Sequence, residues 1–278
     1  MADNECSASE LRRDPFPLRG RVALVTGVSR RAGIGYAIAR RLASYGAGLF
    51  LHHHVPHDRE QPWGADPGGA EGIAAGVAEA ASGGARVEHL GLDLSVPDAP
   101  MELADAAVRA FGHVDILVCN HARSGGDGPL PAMTAEMLDG HWAVNTRSTI
   151  LLTKAFAAQH DGRPGGRVVY MTSGQDLGPM RDEVAYAASK GALASITRTL
   201  ADQLADHAIT LNTVNPGPVD TGYASPEFVR RLAERHFPGQ RWGRPDDPAR
   251  LIAWLATDEA GWITGQVIST EGGYRRWC

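Results

Sequence analysis

Ser173, Tyr186 and Lys190 are the side chains of this 278-residue chain whose types and spacing could move a proton. Tyr186 and Lys190 stand four apart, so on a helix they share a face. A phenol with an ordinary pKa of about 10 is a poor acid or base at neutral pH, and an ammonium fixed beside it favours the phenolate. Each tenfold gain in phenolate is worth about 1.4 kcal/mol, and several such steps would bring the group near its optimum. The cation is a telling choice: of 27 lysines and arginines, only Lys154 and Lys190 are lysine. A compact ammonium with rotatable donors is what a broad guanidinium fork does not replace cleanly.

A second constellation lies near the start. The run TGVSRRAGIG at 26–35 leads directly into YAIARRLASYG, so glycines stand where a strand would turn into a helix. Gly27, Gly33 and Gly35 would let the backbone approach a pyrophosphate, with Ser29 and Ile34 beside them and the helix N–H groups facing the charge. A site selective for NAD(H) places a carboxylate at the end of the second strand, about 20 residues on. Here those positions read Leu51, His52 and His53, and no carboxylate follows until Asp58. Arg30 and Arg31 sit in the turn where a 2′-phosphate would lie, which favours NADP(H) over NAD(H).

The elements that must hold these residues follow from the hydrophobic rhythm. From Gly20 onward, short apolar runs alternate with longer Ala-rich stretches, the pattern of parallel strands and crossover helices. Strands are predicted at 21–26, 47–52, 86–91, 114–119, 166–172, 208–214 and 266–270, and helices at 34–45, 70–81, 98–111, 134–160, 184–206, 225–236 and 247–256. The fold class is α/β: one doubly wound parallel sheet of about seven strands with helices on both faces, residues 20–278, after a loose arm at 1–19. The stretch 52–69, HHHVPHDREQPWGADPGG, interrupts the rhythm. Its four histidines, at 52, 53, 54 and 57, have no supporting Cys and no helical i, i+4 framework to fix geometry, so it is expected to be a polar surface loop with no metal.

Composition narrows the function classes. The net charge is −5, with no run of basic residues for nucleic acid to follow, and no apolar stretch has the length of about 18 residues that a membrane helix needs. Cys6, Cys119 and Cys278 form no CxxC pair and are expected to be reduced thiols in a cytoplasm. The N-terminus, with Asp3, Glu5 and Glu10 and no apolar core, does not have the character of a secretory signal.

The ordered set of motifs resembles the short-chain dehydrogenase/reductase family, in the branch with a YxxxK active site, over residues 20–274. The matching elements are the TG…GIG turn, Asp93-Leu94, Asn120, Asn145 in VNTRS, Ser173, Tyr186 with Lys190, NPGPVDTG at 215–222 and ITGQVISTEGG at 263–273. The resemblance implies a single Rossmann-type domain and an oxidoreductase acting on a small-molecule carbonyl or alcohol, with 3-oxoacyl thioester reductases among its relatives. By the same resemblance Tyr186 is the acid that protonates the carbonyl oxygen, and Ser173 binds that oxygen. Lys190 holds the nicotinamide ribose and lowers the Tyr186 pKa, and Asn145 keeps a relay water. Asp93 and Leu94 would border the adenine and Asn120 the adenosine side, while Pro216, Gly217, Val219 and Thr221 would meet the carboxamide and nearby phosphate. A homodimer or homotetramer is implied too.

The chain departs from the family pattern in two places. The glycine turn is two residues longer than usual, and the family's NNAG reads Cys119-Asn120-His121-Ala122. His121 could be a base, though Tyr186 already fills that role. The longer turn resembles that of enoyl reductases, but their Tyr seven positions before the Lys is Glu183 here. A non-catalytic NADP(H)-sensing module is the alternative from another class. The substrate walls are expected at 123–131, 174–181 and 222–244, including Phe228, Phe237 and Trp242.

Overall fold

Alternating faces of the strands feed two separate cores. Ala23, Val25, Ile116 and Val118 point into one, and Val22, Leu24, Leu117 and Cys119 into the other. Such strands are apolar on both sides and form only where helices cover both faces. A computed structural model describes residues 11–277 and shows this arrangement. Its strands are β1 (Val22–Val25), β2 (Gly48–His53), β3 (Val87–Gly91), β4 (Ile116–Cys119), β5 (Gly166–Met171), β6 (Ile209–Asn215) and β7 (Val267–Ser269). They form one parallel sheet in the order β3-β2-β1-β4-β5-β6-β7. The helices are α1 (Ile34–Ser44), α2 (Val55–Glu60), α3 (Gly69–Ala78), α4 (Ala99–Phe111), α5 (Ala135–His141), α6 (Ser148–Gln159), α7 (Val184–Ala205), α8 (Pro226–His236) and α9 (Asp246–Leu255).

Helices α1, α3 and α9 cover the first core through Ile38, Leu42, Ile73 and Ile252; α4, α6 and α7 cover the second through Leu103, Leu152 and Leu193. The strand order reverses between β1 and β4, and the carboxyl ends of neighbouring strands there diverge into a crevice, the usual ligand position in open α/β sheets. Among the described residues no helix is long and apolar enough to cross a membrane.

Three expectations need correction. The helix expected at 134–160 is interrupted by a π-turn, Trp142–Arg147. Ser148 Oγ donates to the Val144 carbonyl, Thr149 Oγ1 to that of Asn145 at 2.9 Å and Thr153 Oγ1 to that of Thr149 at 2.9 Å, so hydroxyls compete with backbone N–H groups for acceptors around the irregular turn. The stretch from His52 is not simply a polar loop: β2 continues through His53, His52 is 2% exposed, and α2 follows. Nor is the arm loose up to residue 19. Leu18 is fully buried and its N–H donates to the Tyr45 carbonyl at 3.0 Å. The remainder of the arm, Met1 to Glu10, and Cys278 lie outside the described residues.

Candidate active site

A cavity of about 1470 Å3 opens at the carboxyl ends of β1 and β4. At one end its wall carries the glycine turn. Gly27 has φ +72°, and a Cβ there would stand 2.8 Å from His121 Cα. A Cβ on Gly35 would overlap the Gly27 carbonyl oxygen. The glycines therefore serve close packing as well as ligand approach. Helix α1 starts with no side-chain cap and no acidic residue in its first turn, leaving first-turn N–H groups to a negative ligand. This polarity fits a dinucleotide pyrophosphate. Gly27, Ser29, Gly33, Ile34 and Gly35 all line the cavity, as do Asp93, Leu94, Asn120, Pro216, Gly217, Val219 and Thr221.

Asn120 and His52 lock this end. Asn120 Nδ2 donates to the carbonyls of Thr26 at 3.0 Å and Gly27 at 3.1 Å. The Gly27 N–H donates to His52 Nδ1 at 3.3 Å, so His52 Nε2 carries the proton and donates to the Leu92 carbonyl at 3.0 Å. Burial holds this imidazole neutral, pushing it down to about 4. The sequence offered His52 as a missing carboxylate and as part of a polar histidine loop; its role comes from contacts beyond the ends of two other strands.

The two arginines of the turn part company. Arg30 lines the cavity, donates from Nη2 to the Thr221 carbonyl at 2.9 Å, lies 3.5 Å from Asp58 and stacks 5.1 Å from the Trp63 ring centre. Arg31 turns away to Asp66 at 3.3 Å and the Gly72 carbonyl at 2.9 Å, and does not line the cavity. A carboxylate 35 residues away decides its direction.

Midway along the cavity, Ser173 and Tyr186 face the open space, while Lys190 and Asn145 lie buried behind them. The lysine is 2% exposed, donates from Nζ to the Met171 carbonyl at 2.8 Å and lies 5.8 Å from the Tyr186 ring centre. Burial pushes its pKa down to about 8, which still leaves it mostly protonated at neutral pH. The Tyr186 phenol is not lowered, contrary to expectation. Removal from water pushes it up to about 12 and the Glu183 carboxylate adds to the rise, with Ser173 alone opposing them. Asn145 is held from three sides: Oδ1 accepts from the Arg123 N–H at 2.7 Å, and Nδ2 donates to Ser189 Oγ at 2.9 Å and to the Arg123 carbonyl at 3.4 Å.

Asp127 was not anticipated. Its Oδ1 accepts from the N–H groups of Gly128 at 2.7 Å and Ala185 at 3.0 Å, and its Oδ2 from that of Tyr186 at 2.7 Å. A loop 58 or more residues away in sequence thus caps the helix that carries the phenol. These three donors hold the Asp127 carboxyl below its ordinary range despite partial burial. His141, fully buried, lies edge-on to Tyr186 with ring centres 6.3 Å apart and Nε2 3.9 Å from Asp127. His121 is buried too, with Nδ1 2.6 Å from Thr26 Oγ1 and Nε2 2.7 Å from Ser148 Oγ. Both nitrogens are engaged and burial pushes its pKa well down, so the imidazole is neutral and ties the end of β4 to the start of α6.

The far end is aromatic: Tyr223, Phe228, Trp242 and Tyr274 line it. Of the expected walls, Arg123 to Gly126, Gly174 and Gly178 to Met180 also border the cavity, whereas Phe237 packs beneath it at 5% exposure. No cluster of three or more metal-binding side chains forms among the described residues.

Comparison with known proteins places this geometry. A family model described as enoyl-(acyl carrier protein) reductase matches residues 27–275. The chain is 42% identical over 258 residues to the uncharacterized oxidoreductase YjdA of Bacillus subtilis (strain 168), covering 92% of this chain and 97% of that protein. It is 34% identical over 278 residues to an NADPH-dependent aldehyde reductase-like protein, chloroplastic, of Arabidopsis thaliana, covering 96% and 98%. Among solved structures, a short chain dehydrogenase from Burkholderia cenocepacia J2315 in complex with NADP superposes with a TM-score of 0.80 at 33% identity, over 92% of this chain and 98% of that one.

Proposed function

The chain belongs to the short-chain dehydrogenase/reductase family of oxidoreductases, and from that premise we propose that it reduces a ketone to a secondary alcohol, or runs the reverse, with NADP(H) preferred and Tyr186 as the acid or base. The observation that carries this reading is the placement of Ser173 and Tyr186 on the cavity wall with Lys190 behind them, next to an uncapped helix start. The nicotinamide cofactor, when bound, supplies the hydride.

The chain's own residues do the rest. The backbone of the glycine turn and the start of α1 bind the pyrophosphate. Arg30 meets the 2′-phosphate by exchanging Asp58 for it, and the lack of a carboxylate at the end of β2 supports the same cofactor. Asp93 and Leu94 border the adenine, Asn120 keeps the turn in shape, and the Pro216–Thr221 segment covers the nicotinamide end. Ser173 donates a hydrogen bond to the substrate oxygen, and Tyr186 gives that oxygen its proton. Burial, with Glu183 adding to it, pushes the Tyr186 phenol up to about 12, so at neutral pH it carries the proton that reduction needs. Lys190 holds the ribose with donors left over from Met171, and Asn145 orders the relay behind it. The matching family model carries an enoyl reductase description, but Glu183 stands where that chemistry resembles a tyrosine's task, so carbonyl reduction is favoured.

Tyr186→Phe tests the assignment. NADPH oxidation with ketones should fall by about a hundredfold to ten-thousandfold while quenching of tryptophan fluorescence by NADPH persists. Turnover at the parent rate would overturn the role of Tyr186.

A further inference from the structure

Resting on the carbonyl-reductase reading of the site, we propose that the substrate is a free, planar aromatic ketone and not a carrier-bound 3-oxoacyl thioester. One wall of the cavity that holds Ser173 and Tyr186 is made of rings in tilted and edge-on contact. Tyr223 and Phe228 lie 5.9 and 6.1 Å from Trp242, ring centre to ring centre, at interplanar angles of 49° and 71°. Trp242 is 7% exposed and forms the backing, whereas Tyr223 and Phe228 are 50% and 40% exposed and line the cavity. Tyr223 lines the same cavity as Ser173 and Tyr186, and burial, with the carboxylates of Asp220 and Glu183 adding to it, pushes its phenol up to about 12. A flat ring whose carbonyl reached Ser173 and Tyr186 would lie along this wall and meet aromatic faces and edges, a contact that an acyl chain cannot match.

Of the charged side chains at this end, Arg276 is paired with Glu271, and Arg231 lies 5.9 Å from the centre of the Phe228 ring. In the reaction, hydride from the reduced nicotinamide adds to the carbonyl carbon. The π pair moves to oxygen, which takes the Tyr186 proton, leaving a benzylic secondary alcohol and oxidised cofactor.

The test compares kcat/KM for acetophenone, its saturated analogue cyclohexyl methyl ketone and acetoacetyl-pantetheine, with NADPH and purified full-length protein. Phe228→Leu, which keeps an apolar residue at a half-exposed helix position, is measured beside wild type. Comparing the acetophenone to cyclohexyl ratio between the two proteins cancels the different reactivities of the ketones. The ratio should fall by about three- to tenfold in the variant, and the thioester should be the poorest substrate for wild type. An unchanged ratio, or a thioester that outperforms both ketones, overturns the aromatic assignment while leaving carbonyl reduction standing. If NADPH binds and no carbonyl of the three is reduced, both readings fall together.

Discussion

At the cofactor end of the cavity Gly27 sits on the tip of β1 between His52 and Asn120, and each neighbour is itself fixed by a strand end. At the substrate end Tyr223 and Phe228 rest on Trp242 in a cluster with Ala233 and Phe237, separate from the two sheet-facing cores. The first site is made of backbone groups placed by the sheet, so almost any side-chain change there disturbs geometry. The second is made of side chains on one helix and two loops, so it can be rebuilt without touching the sheet.

Lys190 marks how much cost the sheet-built end can carry. Its pKa is pushed from an ordinary 10.5 down to about 8 by burial, so the folded protein binds fewer protons than the unfolded chain between those values. Stability must therefore rise with pH across that window: the cost of the buried ammonium is fully present below about 8 and gone above 10.5. The shift corresponds to about 3 kcal/mol as an order of magnitude. Urea unfolding of wild type and Lys190→Met at pH 7 and pH 10 should show wild type gaining about that much on the variant. Parallel pH profiles would mean that the ammonium is not desolvated.

Glycine replacements sharpen the contrast. A methyl at Gly35 would overlap the Gly27 carbonyl oxygen and stand 2.6 Å from Asn120 Nδ2, whereas one at Gly239, in the substrate-side loop, meets nothing within 4 Å. Gly35→Ala should cost about 1–3 kcal/mol in thermal unfolding and weaken NADPH binding. Gly239→Ala should stay within about 0.5 kcal/mol of wild type. Equal losses in the two variants would erase the distinction between the ends.

The same division explains what the sequence made legible. The strand rhythm, the glycine turn and the Tyr186–Lys190 spacing are local patterns, and the sheet and the helix reproduce them. Asp127 was invisible because the N–H groups it caps lie 58 and 59 residues further along the chain. Arg31 looked equivalent to Arg30 until Asp66 turned it aside. The phenol of Tyr186 was expected to be lowered by its lysine, yet desolvation raises it with Ser173 alone opposing, while the lysine is bonded to the Met171 carbonyl. Periodicity reports which face a residue occupies. It does not report which distant partner claims the side chain.

The gentlest probe acts on the substrate wall alone. Ser225 Oγ accepts the Phe228 N–H at 3.3 Å and caps α8, a long bond on an exposed helix end. Its loss in Ser225→Ala should cost about 0.5–1 kcal/mol of local helix stability, at the low end for a cap. Because Phe228 stands in that first turn, the fraying displaces a ring of the wall, and KM for the carbonyl substrate should rise by about two- to fivefold. The hydrogen bonds that fix Gly27, Tyr186 and Lys190 do not run through this cap, so the NADPH dissociation constant and kcat should stay as they are. Measuring the three constants side by side is decisive for the division: a cofactor affinity that weakens as much as the substrate's would show that the wall and the sheet-built end move as one body.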